Sequence, residues 1–238
     1  MTVFLVGSGP GDPDLITVRG AQLLARADVV VYDRLARPLL ALVKPGTELV
    51  DVGKAPGRAP TSQEQINAIL VDRGRRVDCV VRLKGGDPFV FARGAEELES
   101  LAAANVDFDV VPGISSALGS PASAGISLTV RGVSQSFTVV TGHEDPLDEA
   151  DQKWRALVDL GGTIVILMGA ARIGAIATRL AHEGLPLTTP VAAIYAATTT
   201  EERVSLWTLA TVGDVTHDAP TTFVIGEVVR HRVELRHS

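Results

Sequence analysis

The length, composition and charge of this chain are those of an ordinary soluble globular protein. Its 238 residues, 46% of them apolar and 21% charged, can bury one or two sizeable cores without disulfides. A net charge of −6 argues against a dedicated nucleic-acid binder. No apolar run approaches the length of a membrane span, and the N-terminus enters a strand without a signal-peptide pattern, so the expected location is the cytoplasm.

The first half of the chain alternates short apolar runs with amphipathic segments, which is the pattern of parallel strands joined by helices. A capping box at Ser62 and Gln65 and a glycine stop at Gly74 mark one of these helices. Strands are predicted over 3–6, 29–32, 49–52, 80–84 and 108–111, and helices over about 15–27, over 62–74 and from 93 onward.

The stretch from 114 to about 136 is rich in Gly, Ser and Ala, and it predicts a connection between domains 1–114 and 115–238. Strands are then predicted over 137–140, 163–167, 190–195, 204–209 and 222–229, and helices over 151–160 and 173–182. The last strands should be antiparallel, because their connections are too short for a crossover helix. The predicted fold class is therefore α/β, with two α/β domains and the ligand in the cleft between them.

Glycine-rich loops follow two of the predicted strands, where ligands of α/β proteins bind. The first loop, 7–14, lacks the third glycine of a dinucleotide fingerprint because Asp12 stands there. Pro10 and Pro13 remove two N–H donors, and the added acids oppose a phosphate. The second loop is Gly85-Gly86-Asp87-Pro88. These features favour a ligand without phosphate and disfavour a nicotinamide-dependent oxidoreductase.

A metal centre is not predicted. Cys79 is the only cysteine, and its position beside Val80 and Val81 is typical of a small buried apolar residue. The five histidines show no ligand-like spacing with Asp or Glu. His143 follows a strand and a glycine, but a structural role is as good an interpretation as a catalytic one, so it is left out of the catalytic set.

Seven short motifs occur together in an order and spacing that resemble the S-adenosylmethionine-dependent tetrapyrrole methylases. Each motif alone is weak, but the combination is specific and spans the whole chain. The free-standing length also resembles the single-function members of the family. The motifs are Gly7-Ser8-Gly9-Pro10-Gly11-Asp12-Pro13, Tyr32-Asp33-Arg34-Leu35, Val52-Gly53-Lys54, Arg82-Leu83-Lys84-Gly85-Gly86-Asp87-Pro88-Phe89, Pro112-Gly113-Ile114, Thr141-Gly142-His143 and Leu167-Met168-Gly169.

The resemblance implies a homodimeric enzyme that transfers two methyl groups in succession from S-adenosylmethionine to uroporphyrinogen III. The product would be precorrin-2, for sirohaem or cobalamin synthesis. Asp33 and Lys54 match the family's proton acceptor and proton donor. The methyl-donor site would be lined by Pro10, Gly85, Gly86, Asp87, Val90, Ser115, Ser116, Met168 and Ala197. The substrate cleft would contain Arg34, Arg93, Glu96 and Arg131.

The chemistry of these residue types agrees with the resemblance. The substrate is a polycarboxylate, and arginine binds carboxylates through two parallel hydrogen bonds. Two roles stay open for Asp33, which either removes a proton after methyl transfer or holds a pyrrole N–H. Asp87 either contacts the donor or only shapes its turn. A surface salt bridge is the alternative interpretation of each arginine.

Several positions depart from the family pattern, and they bear on affinity rather than on the class of reaction. Alanine replaces the usual glycine in each of three places, Ser115-Ser116 replaces Thr-Ala, and Thr200-Glu201-Glu202-Arg203 replaces Pro-Glu-Gln-Arg. The alanines are Ala92, Ala95 and Ala197. Two further functions remain as alternatives: a sister methylase that acts on a later precorrin, and a non-catalytic protein that binds a tetrapyrrole or the methyl donor.

Overall fold

The computed structural model describes residues 1–53, 61–144, 146 and 152–235. The chain divides into two compact units, Met1–Ser115 and Ser116–Ser238. Each unit contains one five-stranded sheet with helices, so the predicted α/β fold class is confirmed. Within the described ranges, no helix has the length and apolar character needed to cross a membrane.

The first unit is built on a parallel sheet whose central strand, β4, is buried along its whole length. The strand order is β3-β2-β4-β1-β5. The strands are β1 Thr2–Gly7, β2 Val29–Tyr32, β3 Glu48–Asp51, β4 Cys79–Lys84 and β5 Asp107–Val111, and the helices are α1 Val18–Arg26, α2 Gln63–Gly74 and α3 Gly94–Ala103.

The period-2 alternation of the strands divides their side chains between two helical layers. Leu23 and Leu24 of α1 pack with Val81 and Leu83 of β4 on one face. On the other face, residues of α2 and α3 pack with Val80. Residues 82 and 84 continue the face of Val80, and they therefore point toward α2 and α3.

The local signals for α2 are confirmed. The Ser62 hydroxyl accepts a hydrogen bond from the Gln65 N–H, and the Gln65 side chain accepts one from the Ser62 N–H. The predicted helix limits at 62 and Gly74 agree with this capping box. A 3₁₀ helix, Arg34–Leu42, was not predicted, and it includes Pro38 within its length.

The second unit has the strand order β6-β7-β10-β8-β9. Strands β6 and β7 are parallel, whereas β10 is antiparallel to both of its neighbours and β9 is antiparallel to β8, as predicted for the closing strands. The strands are β6 Phe137–Thr141, β7 Thr163–Leu167, β8 Pro190–Tyr195, β9 Arg203–Thr208 and β10 Thr221–Ile225, and the helices are α4 Ser116–Ser123, α5 Lys153–Leu160 and α6 Ile173–His182.

Two predicted features of the second unit differ in the structure. The last strand ends at Ile225 rather than at 229, because Gly226 has φ of 143° and the chain turns there into a 3₁₀ helix, Glu227–His231. The region 114–136, predicted as an irregular connection, includes helix α4, whose small residues pack closely enough to bury Ala117 and Gly119.

Three glycines hold the loops after β1, β4 and β5 together by direct backbone contact. A Cβ atom added to Gly7 would lie 2.6 Å from the Gly113 Cα and 2.6 Å from the Gly86 oxygen. A Cβ atom on Gly113 would overlap the same Gly86 oxygen. These neighbours are backbone atoms, which cannot rotate away, so a side chain cannot be accommodated without moving a loop.

We expect Gly113→Ala to lower the free energy of unfolding by about 3 kcal/mol, since the new methyl group overpacks backbone against backbone. The matched control is Gly46→Ala, because Gly46 has φ of 88° and open space around it. That change should cost only the left-handed backbone strain, about 1 kcal/mol. Urea denaturation measures both values. Equal losses in the two variants would show that the contact of Gly7, Gly86 and Gly113 adds no constraint.

Candidate active site

The loops after β1 and β4 pair with each other at the carboxyl edge of the parallel sheet. The Gly9 N–H donates to the Gly86 carbonyl at 3.2 Å, and the Gly86 N–H donates back to the Gly9 carbonyl at 2.9 Å. The Ser8 N–H donates to the Lys84 carbonyl at 2.7 Å. Gly9 and Gly86 have φ of 76° and 65°, which only glycine adopts without strain. Pro10 is thereby placed beside the Gly85-Gly86-Asp87 turn.

The carboxylate of Asp87 organises the loop after β4. Its Oδ1 accepts from the Phe89 N–H at 2.8 Å, and its Oδ2 accepts from the Gly113 N–H at 3.0 Å. One side chain therefore closes its own turn and ties that turn to the loop after β5. Of the two predicted roles of Asp87, shaping the turn is seen directly, and the carboxylate retains lone pairs for a further donor.

The chain leaves this turn in an unusual backbone conformation. Phe91 and Arg93 have φ of 52° and 58°, a region in which non-glycine residues are strained. Val90 follows the turn directly, its N–H donating to the Asp87 carbonyl at 3.3 Å, and Phe89, Val90 and Phe91 are all exposed. Strain and exposed apolar side chains beside a glycine turn are typical of a ligand-binding loop.

Asp33 lies at the same edge of the sheet, directly after β2. It is the N-cap of the helix Arg34–Leu42, and its Oδ1 accepts from the Leu35 N–H at 3.2 Å. A Cβ atom on Gly53 would lie 2.9 Å from the Arg34 nitrogen, so the chain after β3 lies against this cap. Lys54, the predicted proton donor, lies outside the described residues.

Two of the predicted substrate residues pair with each other. The Arg93 guanidinium donates from Nε to Glu96 Oε1 at 2.7 Å and from Nη2 to Glu96 Oε2 at 2.6 Å. This two-pronged pair is exposed; it raises the pKa of Arg93 and lowers the pKa of Glu96. Arg34 is exposed at the start of its 3₁₀ helix. The structure therefore presents Arg93 in the geometry that binds a carboxylate.

A buried charge cluster, Arg82, Lys84 and Glu97, lies beneath the loop after β4, and the sequence analysis assigned it no role. The side chain of Glu97, from α3, is fully buried, and the residues Arg82 and Lys84 are 5% and 3% exposed. Glu97 Oε1 accepts from Lys84 Nζ at 2.8 Å and from Arg82 Nε at 3.1 Å. Two cations at alternate positions of an otherwise apolar strand are the signal that could have found the cluster.

The cluster carries more positive than negative charge. Arg82 and Lys84 share one carboxylate oxygen, while Glu97 Oε2 has no hydrogen-bond partner in the described part of the chain. Burial lowers the pKa of the Lys84 ammonium, and the Arg82 guanidinium lowers it further. The carboxylates of Glu97 and, more weakly, Asp33 act in the opposite direction. Keeping the side chain of Lys84 charged at this position therefore costs free energy.

In the second unit, the predicted donor residues also sit in strained turns after strands. Met168 follows β7 with φ of 57° and is half-exposed. After β8, Ala196 and Thr198 have φ of 44° and 65° on either side of the buried Ala197. Glu202, a departure from the family pattern, closes this turn by accepting a hydrogen bond from the Thr198 N–H at 2.6 Å.

The backbone strain of the chain is concentrated at these loops. Six non-glycine residues of the described ranges have positive φ, and five of them lie in the loops after β4, β7 and β8: Phe91, Arg93, Met168, Ala196 and Thr198. The sixth is Asn105, a residue type that tolerates this conformation in an ordinary turn. Strain that persists where the fold does not need it points to function.

The remaining predicted residues are not among the strained residues of these turns. Ser115 is buried at the end of the first unit, and Ser116 begins α4. Arg131 is exposed and lines a depression of about 330 Å³ with Thr129, Val130, Ser134 and Gln135. Among the described residues, no group of three or more His, Cys, Asp or Glu side chains is placed to hold a metal ion. The structure thus brings together Pro10, Asp33, the Gly85-Gly86-Asp87 turn and Val90 within the first unit.

The two α/β units, with strained loops at the carboxyl ends of their strands, are typical of a protein that binds a small molecule. The chain belongs to the family described as Tetrapyrrole (Corrin/Porphyrin) Methylases, whose sequence pattern matches residues 2–213. The resemblance found in the seven motifs is thereby confirmed at the level of the family.

Individual relatives are similar over nearly the whole chain. An S-adenosyl-L-methionine-dependent uroporphyrinogen III methyltransferase of Methanosarcina barkeri is 44% identical, over 95% of this chain and 91% of that protein. Siroheme synthase 1 of Yersinia enterocolitica is 46% identical over 95% of this chain, which spans only 48% of that longer protein. The crystal structure of uroporphyrin-III C-methyltransferase from Thermus thermophilus, complexed with S-adenosylhomocysteine, matches with a TM-score of 0.84 and 39% identity, covering 97% of this chain and 100% of that one.

The excess of positive charge in the cluster predicts unequal effects of removing its members. Glu97→Gln should lower the free energy of unfolding by about 3–5 kcal/mol, because it leaves two buried cations without a carboxylate. Lys84→Met should change it by less than about 1 kcal/mol, since it leaves a balanced Arg82–Glu97 pair in an apolar setting. Glu96→Gln, which removes an exposed carboxylate and its ion pair with Arg93 from the same helix, is the control and should cost far less than Glu97→Gln, because an exposed ion pair contributes little to stability. Denaturant unfolding at neutral pH measures all three. If Lys84→Met were as damaging as Glu97→Gln, the cluster would not be rich in cations.

Proposed function

We propose that this chain catalyses the S-adenosylmethionine-dependent C-methylation of uroporphyrinogen III, with two successive transfers giving precorrin-2. One observation of the structure carries the proposal: three backbone N–H groups of the two glycine loops, those of Ser8, Gly9 and Gly86, already have acceptors. Gly9 and Gly86 donate to each other, and Ser8 donates to Lys84. A phosphate cradle needs such groups to be free. The edge of this sheet therefore suits a ligand without phosphate.

S-adenosylmethionine meets this condition, because it carries a sulfonium, an amino-acid group and adenosine but no phosphate. Pro10 offers the ligand a wall without an N–H donor. Asp87 lies in the same turn with lone pairs to spare, and a carboxylate complements an ammonium or ribose hydroxyls. The residues present thus fit the donor. Met168 and Ala197, in the strained turns of the second unit, remain predicted donor contacts, as do Ser115 and Ser116.

The donor supplies a methyl group bonded to a positively charged sulfur, and the acceptor is an electron-rich pyrrole carbon. The residues of this chain position the two reactants and transfer protons. Rigid loops around Gly86 hold the reactants in line, and positioning of this kind can account for much of an enzymatic rate. Asp33 at the end of β2 then removes the proton that the methylated ring must lose, and Lys54 acts as the proton donor.

The arginines of the site bind the carboxylates of the substrate. Arg93 is already held in a two-pronged geometry by Glu96. A substrate carboxylate offers the same two oxygens and can take the place of Glu96 without reorienting the guanidinium. Glu96 therefore keeps Arg93 ordered before binding. Arg34, beside Asp33, and Arg131 would hold further carboxylates.

The relatives support the same activity. The Methanosarcina barkeri protein, of which this chain covers 91%, has this reaction in its name, and the Thermus thermophilus structure holds the demethylated donor. On those grounds we propose that this chain acts on the same substrate with the same methyl donor. A homodimer and a cytoplasmic location belong to the proposal as implications of the family. The product would serve sirohaem or cobalamin synthesis.

The proposal predicts that the purified protein incorporates label from methyl-labelled S-adenosylmethionine into uroporphyrinogen III under anaerobic conditions. Two methyl groups per tetrapyrrole should appear, and Asp33→Ala and Lys54→Ala should each lower turnover by at least about a hundredfold, as expected for removal of a general acid or base. Absence of incorporation by folded protein that binds S-adenosylhomocysteine would overturn the proposal. Incorporation only with a later precorrin would favour the sister methylase. Full turnover in both variants would refute their proton-transfer roles.

Asp87→Asn should weaken the binding of S-adenosylhomocysteine about tenfold, equivalent to about 1.4 kcal/mol. The amide has one acceptor atom where the carboxylate has two, so the hydrogen bond to the Phe89 or Gly113 N–H is lost and the turn loosens. Isothermal titration calorimetry measures the affinity. Asp109→Asn is the control, because Asp109 pairs with Arg19 on the surface of the same unit. An unchanged affinity of the Asp87 variant would show that the turn is set without this carboxylate.

A further inference from the structure

Lys84 has a position in the fold that its burial alone does not explain. It is the last residue of β4, directly before Gly85, and it is 3% exposed. Its ammonium is held by Glu97 Oε1 at 2.8 Å, an oxygen that it shares with Arg82. Because Arg82 and Glu97 would balance each other, Lys84 is the unmatched cation of the cluster.

The strand register places Lys84 next to Asp33. Strands β2 and β4 are adjacent and parallel, with Tyr32 paired to Leu83, so the next residues along the two strands are Asp33 and Lys84. Asp33 keeps an extended backbone, with φ of −104° and ψ of 174°, so the alternation of side chains continues through it. Val31 and Arg82 are a register pair on the face toward α2 and α3, and residues 33 and 84 return to that face two positions later.

The electrostatics agree with this placement. The Asp33 carboxylate raises the pKa of the Lys84 ammonium, against the lowering caused first by burial and then by Arg82. The two charges therefore act on each other through space rather than by direct contact, since the ion pair of the Lys84 ammonium is with Glu97. Asp33 Oδ1 also accepts a hydrogen bond from the Leu35 N–H.

A buried cation that lacks a full counter-charge costs stability, and a neutral side chain of similar length would avoid that cost. Proteins retain destabilising features such as this buried cation mainly where function requires them. Lys84 directly precedes Gly85, the first residue of the donor turn. The register neighbour of Lys84 is Asp33, the proposed proton acceptor. Both facts indicate that the methyl-transfer reaction is what requires the buried charge of Lys84.

We propose that Lys84 is a positioning residue for the methylation reaction: its ammonium, anchored by Glu97 on the face of the sheet that Asp33 shares, attracts the Asp33 carboxylate and orients it for the reaction. The inference rests on the proposed function. The proton lost by the methylated ring goes to a carboxylate oxygen of Asp33, and Lys84 neither gives nor takes a proton. Glu97 acts one step further away, because it fixes Lys84 from α3, the helix whose N-cap is Arg93.

A double-mutant cycle tests the proposal with the whole chain, S-adenosylmethionine and uroporphyrinogen III. The variants are Lys84→Met, Asp33→Asn and the two combined, and the readout is methyl transfer in a single turnover with saturating donor and acceptor. Lys84→Met should slow transfer about tenfold in the wild-type background but by less than about twofold once Asp33 is replaced, because coupled residues are not additive. The affinity for S-adenosylhomocysteine, measured by calorimetry, should stay within about threefold of wild type, since the side chain of Lys84 points toward α2 and α3, beneath the donor turn.

Leu101→Ala is the control for mere loss of stability. Leu101 is fully buried in the same helix, one turn beyond Glu97, and is not part of the charge cluster. If Leu101→Ala slows transfer as much as Lys84→Met does, the effect is structural and the proposal is overturned. Lys84→Gln, which keeps a polar group but no charge, replaces Lys84→Met if the latter does not fold.

Two further outcomes would overturn the inference while leaving the proposed function intact. One is a Lys84 variant that transfers methyl groups at the wild-type rate. The other is a loss of rate that is equally large with and without Asp33, which would show that Lys84 does not act through Asp33. The wild-type protein is active in both cases. Failure of the wild-type protein to methylate uroporphyrinogen III would instead refute the proposed function.

Discussion

The backbone contact of Gly7, Gly86 and Gly113 is the constraint on which the rest of the candidate site depends. Three loops that leave neighbouring parallel strands are packed so closely that a single methyl group would separate them. The contact uses up the N–H groups of Gly9 and Gly86, and Asp87 locks the arrangement through the Gly113 N–H. Geometry that is fixed by backbone atoms needs no ligand to form it. The site is therefore preorganised, and the N–H groups of Gly9 and Gly86 are not free to bind a phosphate.

A second layer of order lies directly beneath these loops. Glu97 of α3 holds Lys84 at the end of β4, and the N-cap of the same helix is the strained residue Arg93. A displacement of α3 would therefore reach both the turn at Gly85 and the guanidinium that faces solvent. Buried charge clusters of this kind are poor sources of stability, and removing Glu97 would leave both cations without their shared carboxylate. Departures from the family pattern are accommodated locally: Glu202, for example, closes the turn at Thr198.

Much of the fold could be predicted because it rests on local signals. The capping box at Ser62, the apolar strands β7 and β8 and helix α6 follow from short patterns of hydrophobicity and caps, which act over one or two turns of chain. The end of β10 and helix α4 were harder. At Gly226 a hydrogen bond to Pro190 and a positive φ override the β-branched residues that follow, and α4 is made of small residues with no amphipathic pattern of its own.

The sequence by itself determined the family, the α/β class and the residue types of the site, since ordered motifs and strand-end glycines are properties of the chain alone. Only the tertiary structure decided what those residues do to one another. Asp87 turned out to bind two backbone N–H groups, Arg93 to be held by Glu96, and Lys84 to be buried beside Asp33. Such pairings join residues through strand register and helix packing, and the free energy of a buried charge depends on neighbours that are far away in sequence.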